Sequence, residues 1–445
     1  MKKCLTLLFL FVFLSPFASA QDEFVIQNKR KSDKIKFKLI NNLVIIPVEV
    51  NGVTLSFLLD TGVSKPIIFN FLNVSDTLQI KDTETIYLRG LGEGESVEAL
   101  KSKNNTFKIG DAIKLNQDLY AVFNTNLNLA PRLGIPVHGI IGFDLFKDLI
   151  VEINYSTKTI KLTEPEVFSY KPCKSCERFS LEFHKKKPYV YALVGVNEKD
   201  VPVKLLIDSG GSDAIWLFEN EDKGLKPSDK FFYDFLGHGL NGSVYGKRSR
   251  VETFSLKSFV LKNANVSYPD TKSVFFAKII KDRNGSLAGN ILKRFDVIFD
   301  YQRKLLTLKK NKYFREAFSY NRSGIELAHQ GTRVVREVDK SAVGKNGLMN
   351  RNETQNNFRI DRTIKYKLVL KPAYVIVELR EGSPAEKAGL LKGDIILSIN
   401  GLGTHQYSLQ QVIHKFYDDV NKRIKLKVER DGKILTFSFN LERLL

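Results

Sequence analysis

Two tripeptides in this chain could do chemistry together. Asp60-Thr61-Gly62 ends one apolar run, and Asp208-Ser209-Gly210 ends another. Two carboxylates held close together cannot both ionise cheaply, so one keeps a proton while the other carries charge. Such a pair can polarise a carbonyl with its acid and activate a water with its base, which is what amide hydrolysis requires. The pair titrates as a unit, so neither aspartate is assigned the acid or the base role. Thr61 and Ser209 each add a hydroxyl able to hydrogen-bond across a junction between the two loops. Gly62 and Gly210 let each turn be tight. This chemistry needs no metal and no cofactor. The histidines (138, 184, 238, 329, 405 and 414) show no ligand spacing.

The elements that must position these residues occur twice. Leu43–Val50 reads as a strand, Asn51-Gly52 as a hairpin turn, and Val53–Leu59 as the strand that delivers Asp60. Tyr189–Val196, a turn at Asn197–Asp200, and Val201–Ile207 repeat the pattern up to Asp208. A rigid apolar strand behind each carboxylate is what a preorganised site demands. Downstream of each aspartate lies a glycine-rich segment, Gly90, Gly92 and Gly94 in the first copy, Gly237 and Gly239 in the second. These suit either mobile hairpin tips closing over an extended peptide or ordinary loops; their matched placement favours tips. An apolar-apolar-Gly element follows in each copy, Ile140-Ile141-Gly142 and Leu287-Ala288-Gly289. A pair of closing strands ends each copy, Leu149–Tyr155 with Thr159–Leu162, then Val297–Tyr301 with Leu305–Leu308. Trp216, just after the second loop, reads as core.

Asp-Thr/Ser-Gly, a glycine-rich segment and apolar-apolar-Gly, in that order, resemble the aspartic peptidases of the pepsin and retroviral types. The resemblance covers both halves, and the short lobes look more like a fused pair of retroviral-type subunits. It implies a mainly β fold of two duplicated acid-protease-type β-barrel lobes. It also implies catalytic Asp60 and Asp208, support from Thr61, Gly62, Ser209 and Gly210, and substrate-binding flaps at Gly90, Gly92, Gly94, Gly237 and Gly239. The chain departs from the pattern at Val63 and Gly211, where pepsin-like enzymes carry Ser or Ala, and at the weakly apolar Ala288. Tyr87 is the one candidate for a flap tyrosine.

The C-terminal part has a different origin. Ala373–Leu379, Gly382-Ser383-Pro384-Ala385, Ala388-Gly389-Leu390 and Gly393–Gly401 resemble the core of bacterial PDZ domains. Pro384 suits a helix start and Gly389 its stop. Leu409–Tyr417 is amphipathic, and Arg423–Glu429 and Ile434–Leu441 give closing strands. Gly324–Leu327 serves as a first strand in a circularly permuted order, and Gly344–Asp361 reads as a loop insertion. PDZ domains bind extended chain ends by strand addition; the alternative is a degenerate copy that only packs on its neighbour. The expected layout is a leader at residues 1–20, a first lobe at 21–170, a second at 171–310, a linker at 311–322 and a PDZ-like domain at 323–445.

Lys2 and Lys3, the apolar run Leu5–Leu14 and Ala18-Ser19-Ala20 form an export signal, so a periplasmic or secreted product is expected. No later stretch is long and apolar enough to span a membrane. Without Cys4, the remaining Cys173 and Cys176 form either a local disulfide or two reduced thiols; a redox role lacks its context. The net charge of +20 is dispersed along the chain. Nucleic-acid binding calls for a concentrated patch, so no nucleic-acid partner is expected. Two functions remain: an aspartic endopeptidase whose PDZ module captures substrate or partner peptides, or a catalytically weak or inactive peptide-binding protein of the cell envelope.

Overall fold

The computed structural model describes residues 22–69, 78–123, 128–196, 198–280, 282–339 and 366–445. The residues read as an export signal, those read as a loop insertion at Gly344–Asp361, and Asn197 lie outside the described residues. The chain is mainly β with a PDZ domain at its C-terminus. Two units form: residues up to Asn128 together with Val137–Phe318, and Ser319–Leu445 together with Leu129–Pro136.

The first unit is built from hairpins that sequence dictates locally. Ser32–Lys36 (β1) precedes Leu43–Val50 (β2) and Val53–Leu59 (β3). Asn51 and Gly52 join β2 to β3 with φ of 48° and 87°, the paired positive values that a type I′ turn needs. Leu55, Phe57 and Leu59 of β3 enter the core, the every-second-residue pattern of a strand. Thr83–Leu88 (β4) and Val97–Ile109 (β5) form the next hairpin, and Gly139–Ile141 (β6) lies parallel to β3, with Ile141 opposite Leu59.

The second half repeats this plan. Lys187–Val196 pairs with Lys199–Asp208, and Phe232–Gly239 pairs with Gly242–Leu256. Arg283–Ala288 runs parallel to the aspartate-bearing strand, with Ala288 opposite Asp208. Each aspartate therefore ends a strand wedged between an antiparallel and a parallel neighbour.

A third sheet ties the halves together. In strand order it runs Cys176–Ser180, Leu305–Lys310, Phe295–Asp300, Ile150–Asn154, Thr159–Thr163 and β1. The central pair is antiparallel and places Val151 opposite Phe299 and Ile153 opposite Val297. Phe146 packs edge-on against Phe299, with ring centroids 5.0 Å apart. One hydrophobic core draws on both halves, including Phe57, Leu59, Val151, Ile207 and Val297.

The segment read as a linker, 311–322, divides between the units: residues 311–318 pack on this one and 319–322 belong to the second. Arg294, 1% exposed, donates to the carbonyls of Tyr313, Phe314 and Glu316, and Tyr313 and Phe314 lie against the core. Aromatic residues bury area that a free linker would leave in water.

In the second unit Ile325–Val338 pairs with Tyr366–Leu379, and the sheet continues through Ile395–Ile399, Arg423–Arg430 and Lys433–Asn440. The expected first strand at Gly324–Leu327 is thus part of a longer edge strand. Ser383 caps the helix Pro384–Lys387, and Gly389 follows it at φ 95°. Ser408 and Gln411 form a capping box on Leu409–His414; Lys415–Tyr417, read as its continuation, is a 3-10 turn. Arg430 clamps the buried Asp394 at 2.6 and 2.7 Å. The short helix Ala130–Leu133 groups here: Arg132 pairs with Glu378 at 3.7 Å, and Gln410 donates to the Leu133 carbonyl.

Candidate active site

The two aspartate turns meet head to head. Thr61 Oγ1 donates to the Ile207 carbonyl at 2.6 Å, and Ser209 Oγ donates to the Leu59 carbonyl at 2.8 Å. In return the Thr61 backbone N–H donates to Ser209 Oγ at 3.0 Å, and the Ser209 N–H donates to Thr61 Oγ1 at 3.1 Å. Each hydroxyl thus gives one hydrogen bond and takes one across the junction. Both residues are buried, where an unmade hydrogen bond would be costly.

This network brings the carboxylates together. A Cβ placed on Gly62 would lie 3.0 Å from Asp60 Oδ1 and 3.4 Å from Asp208 Oδ1. One placed on Gly210 would lie 2.3 Å from Asp60 Cγ. Glycine is needed at 210 because the opposite aspartate occupies the space of a side chain. Each carboxylate is also held by its own turn: Gly62 N–H donates to Asp60 Oδ1 at 2.6 Å, and Gly210 N–H donates to Asp208 Oδ1 at 3.1 Å. Gly142 backs the first turn closely; a Cβ there would be 1.9 Å from the Asp60 carbonyl oxygen. At the departures from the family pattern, Val63 N–H donates to the Asp60 carbonyl and Gly211 N–H to that of Asp208, both at 3.3 Å.

Burial, and then the charge of Asp208, push the Asp60 carboxyl up to about 7. Burial also raises Asp208, against the opposing pull of Arg283, Lys187 and the Gly210 and Gly211 amides. Repulsion within a desolvated pair keeps one proton bound well above the usual carboxylate range. One acid and one base then coexist, the combination that general acid–base hydrolysis uses.

The two glycine-rich hairpin tips interlock. Asn241 is the centre of the contact: its N–H donates to the Leu91 carbonyl at 2.9 Å, and its carbonyl accepts from Gly94 N–H at 2.8 Å. Its side chain accepts from Gly90 N–H and donates to the Glu95 carbonyl. Gly92 N–H donates to the Ser273 carbonyl at 3.1 Å. Cβ atoms on Gly90, Gly92, Gly94 and Gly239 would fall 2.2–2.7 Å from the opposite hairpin. Gly237 is different: nothing lies within 4 Å of its Cβ position, and its φ of 152° sits at a break in the hairpin register. Asn241 gave no signal in sequence, because its role exists only through a partner far along the chain.

Other residues singled out from sequence fall elsewhere. Tyr87 is 70% exposed. Trp216 is only partly buried, and its indole N–H donates to Asp213 at 2.7 Å. Asp213 also takes Arg248 at 2.9 Å, an anchor on the loop that periodicity could not reveal. His238 is exposed. Cys173 and Cys176 form a disulfide. Among the described residues no cluster of three or more His, Cys, Asp or Glu could hold a metal, and no helix is long and apolar enough to cross a membrane.

The chain carries an aspartyl protease domain, matched over residues 46–145, which include Asp60 and its turn. It also carries a PDZ domain, matched over residues 375–430. A 92-residue stretch is 37% identical to a probable periplasmic serine endoprotease DegP-like protein of Marinomonas sp. (strain MWYL1). That stretch is 20% of this chain and spans 18% of the relative.

Proposed function

We propose that this protein is an aspartic endopeptidase that hydrolyses peptide bonds with a water activated between Asp60 and Asp208. The observation that carries the reading is the reciprocal hydroxyl network of the buried Thr61 and Ser209, which holds two half-buried carboxylates against each other. In the reaction the ionised carboxylate takes a proton from the water as it attacks the scissile carbonyl. The protonated carboxyl donates toward the carbonyl oxygen, and the proton then returns to the leaving amine. No acyl-enzyme forms. The substrate lies extended beneath the two interlocked hairpins, which must part to admit it. The PDZ domain captures an extended peptide from the substrate or a partner by strand addition. Action outside the cytoplasm follows from the export signal and fits the periplasmic description of the DegP-like relative; the serine mechanism in that name belongs to the relative.

Digestion of a diverse peptide mixture from pH 3 to 8 by wild type and by Asp208→Asn tests the reading. The variant loses cleavage by about 10³-fold or more, since acid–base assistance of this kind contributes that much. Equal cleavage by both would assign the activity to another site. A folded wild type that cuts nothing would favour a non-catalytic peptide-binding protein.

A further inference from the structure

The duplication breaks at one position beside the carboxylates. In the first half Ile45 pairs with Leu58, so the register, continued by two residues, faces Leu43 with Asp60. In the second half Tyr189 pairs with Leu206, and the same continuation faces Lys187 with Asp208. Leu43 is buried and apolar, whereas its counterpart Lys187 is a cation. Val203, Leu205 and Ile207 point into the core, so Leu206 and Asp208 share the opposite face with Tyr189 and Lys187. Directly facing residues on adjacent strands have Cβ atoms about 4.5–5.5 Å apart.

A second cation reaches the same face. Ser286 pairs with Leu206. Arg283 Nη2 donates to Ser286 Oγ at 2.9 Å and its Nε donates to the Gly285 carbonyl at 3.1 Å, which turns the guanidinium along the strand toward the aspartates. Neither Lys187 nor Arg283 forms an ion pair among the described residues. The anions acting on Lys187 are Asp60 first and Asp208 after it, and the carboxylate acting on Arg283 is Asp208. The other charged or titratable groups around them are His184, which faces Lys187 across its hairpin, Lys185, the buried Tyr301, Tyr189, and Lys204, which is already paired with Glu182.

We propose that Lys187 and Arg283 are the counter-ions of the Asp60–Asp208 pair, positioning residues that keep one net negative charge on it despite its burial. An isolated buried carboxylate neutralises by taking up a proton. Two nearby cations oppose that uptake, so the singly ionised state persists to lower pH. This rests on the pair acting as a unit in the proposed peptidase.

The test is the titration of the aspartate carboxyl carbons by ¹³C NMR in the full mature chain, with Asp60→Asn and Asp208→Asn to assign the signals. Removing a cation raises both ionisations of the pair by about one pH unit, in Lys187→Met and in Arg283→Met, as loss of a neighbouring opposite charge does. Lys187→Arg restores the wild-type titration. Lys187→Leu copies Leu43 and serves if the Met variant folds poorly by circular dichroism. Ionisations that stay at their wild-type positions in the folded variants overturn the proposal. The readout does not depend on cleavage: shifted titrations in a chain that cuts nothing would sustain the counter-ions and sink the peptidase reading. Cleavage with unmoved titrations would do the reverse. Where the chain cuts, both limbs of its kcat/KM profile move up in pH with the titrations.

Discussion

Burial raises the proton affinity of Asp60 and Asp208, and this has a consequence for stability as well as for chemistry. The Asp60 carboxyl is pushed up to about 7 from the usual 3.8, so between these values the folded chain binds a proton that the unfolded chain has released. A group raised on folding contributes stability at low pH and loses it as pH rises through the folded value. Asp60→Asn removes that loss. In urea unfolding the variant should match wild type near pH 4 and exceed it above pH 7, by on the order of 2–4 kcal/mol. A variant that gains nothing at high pH would mean that Asp60 titrates normally. The hydroxyl network makes a separate claim: Thr61→Ala leaves the Ile207 carbonyl and Ser209 N–H without partners and should cost about 2–3 kcal/mol. Thr61→Ser should restore most of this. The aspartates, hydroxyls and glycines were legible in sequence because the chemistry fixes their type and order. Lys187 and Arg283 were not, because only strand register reveals which residue faces a carboxylate.

Hairpin tips carry the second claim. Asn241 makes contacts to Gly90, Leu91, Gly94 and Glu95 with one residue's backbone and side chain. Asn241→Ala removes the two side-chain bonds while leaving both hairpins intact. Amide exchange at Gly90 should speed up by about tenfold or more, as losing roughly 1.4 kcal/mol of local closing energy implies, with global unfolding unchanged. Unchanged exchange at Gly90 would show that the tips are held by other contacts. The matched glycines signalled that two tips existed, but composition could not say that the tips touch or that Gly237 stands apart from the other four. Glycine reports a need for space or unusual φ, and which of the two applies depends on neighbours absent from the local sequence.

At the scale of the whole first unit, the shared sheet decides how the halves behave. Its central strands come from opposite halves, and Val151 and Val297 are both 0–1% exposed. Truncating either valine to alanine should cost about 2–3 kcal/mol and lower protection in both halves together. Loss confined to one half would mean that the lobes unfold independently. The duplication and the closing strands were readable from spacing. Their interleaving into one sheet was not, since an apolar strand does not encode which partner it will meet. The segment Tyr313–Glu316 misled for a related reason: its basic, aromatic composition reads as a linker until Arg294 is seen gathering its carbonyls.

The most direct measurement is single-peptide cleavage by wild type, Asp60→Asn and Asp208→Asn near pH 5, each with and without a serine-directed fluorophosphonate. If the carboxylate pair does the chemistry, wild type cuts and ignores the reagent, and each single substitution removes cleavage by about 10³-fold or more. Cleavage that survives either asparagine, or that the fluorophosphonate abolishes, would contradict it.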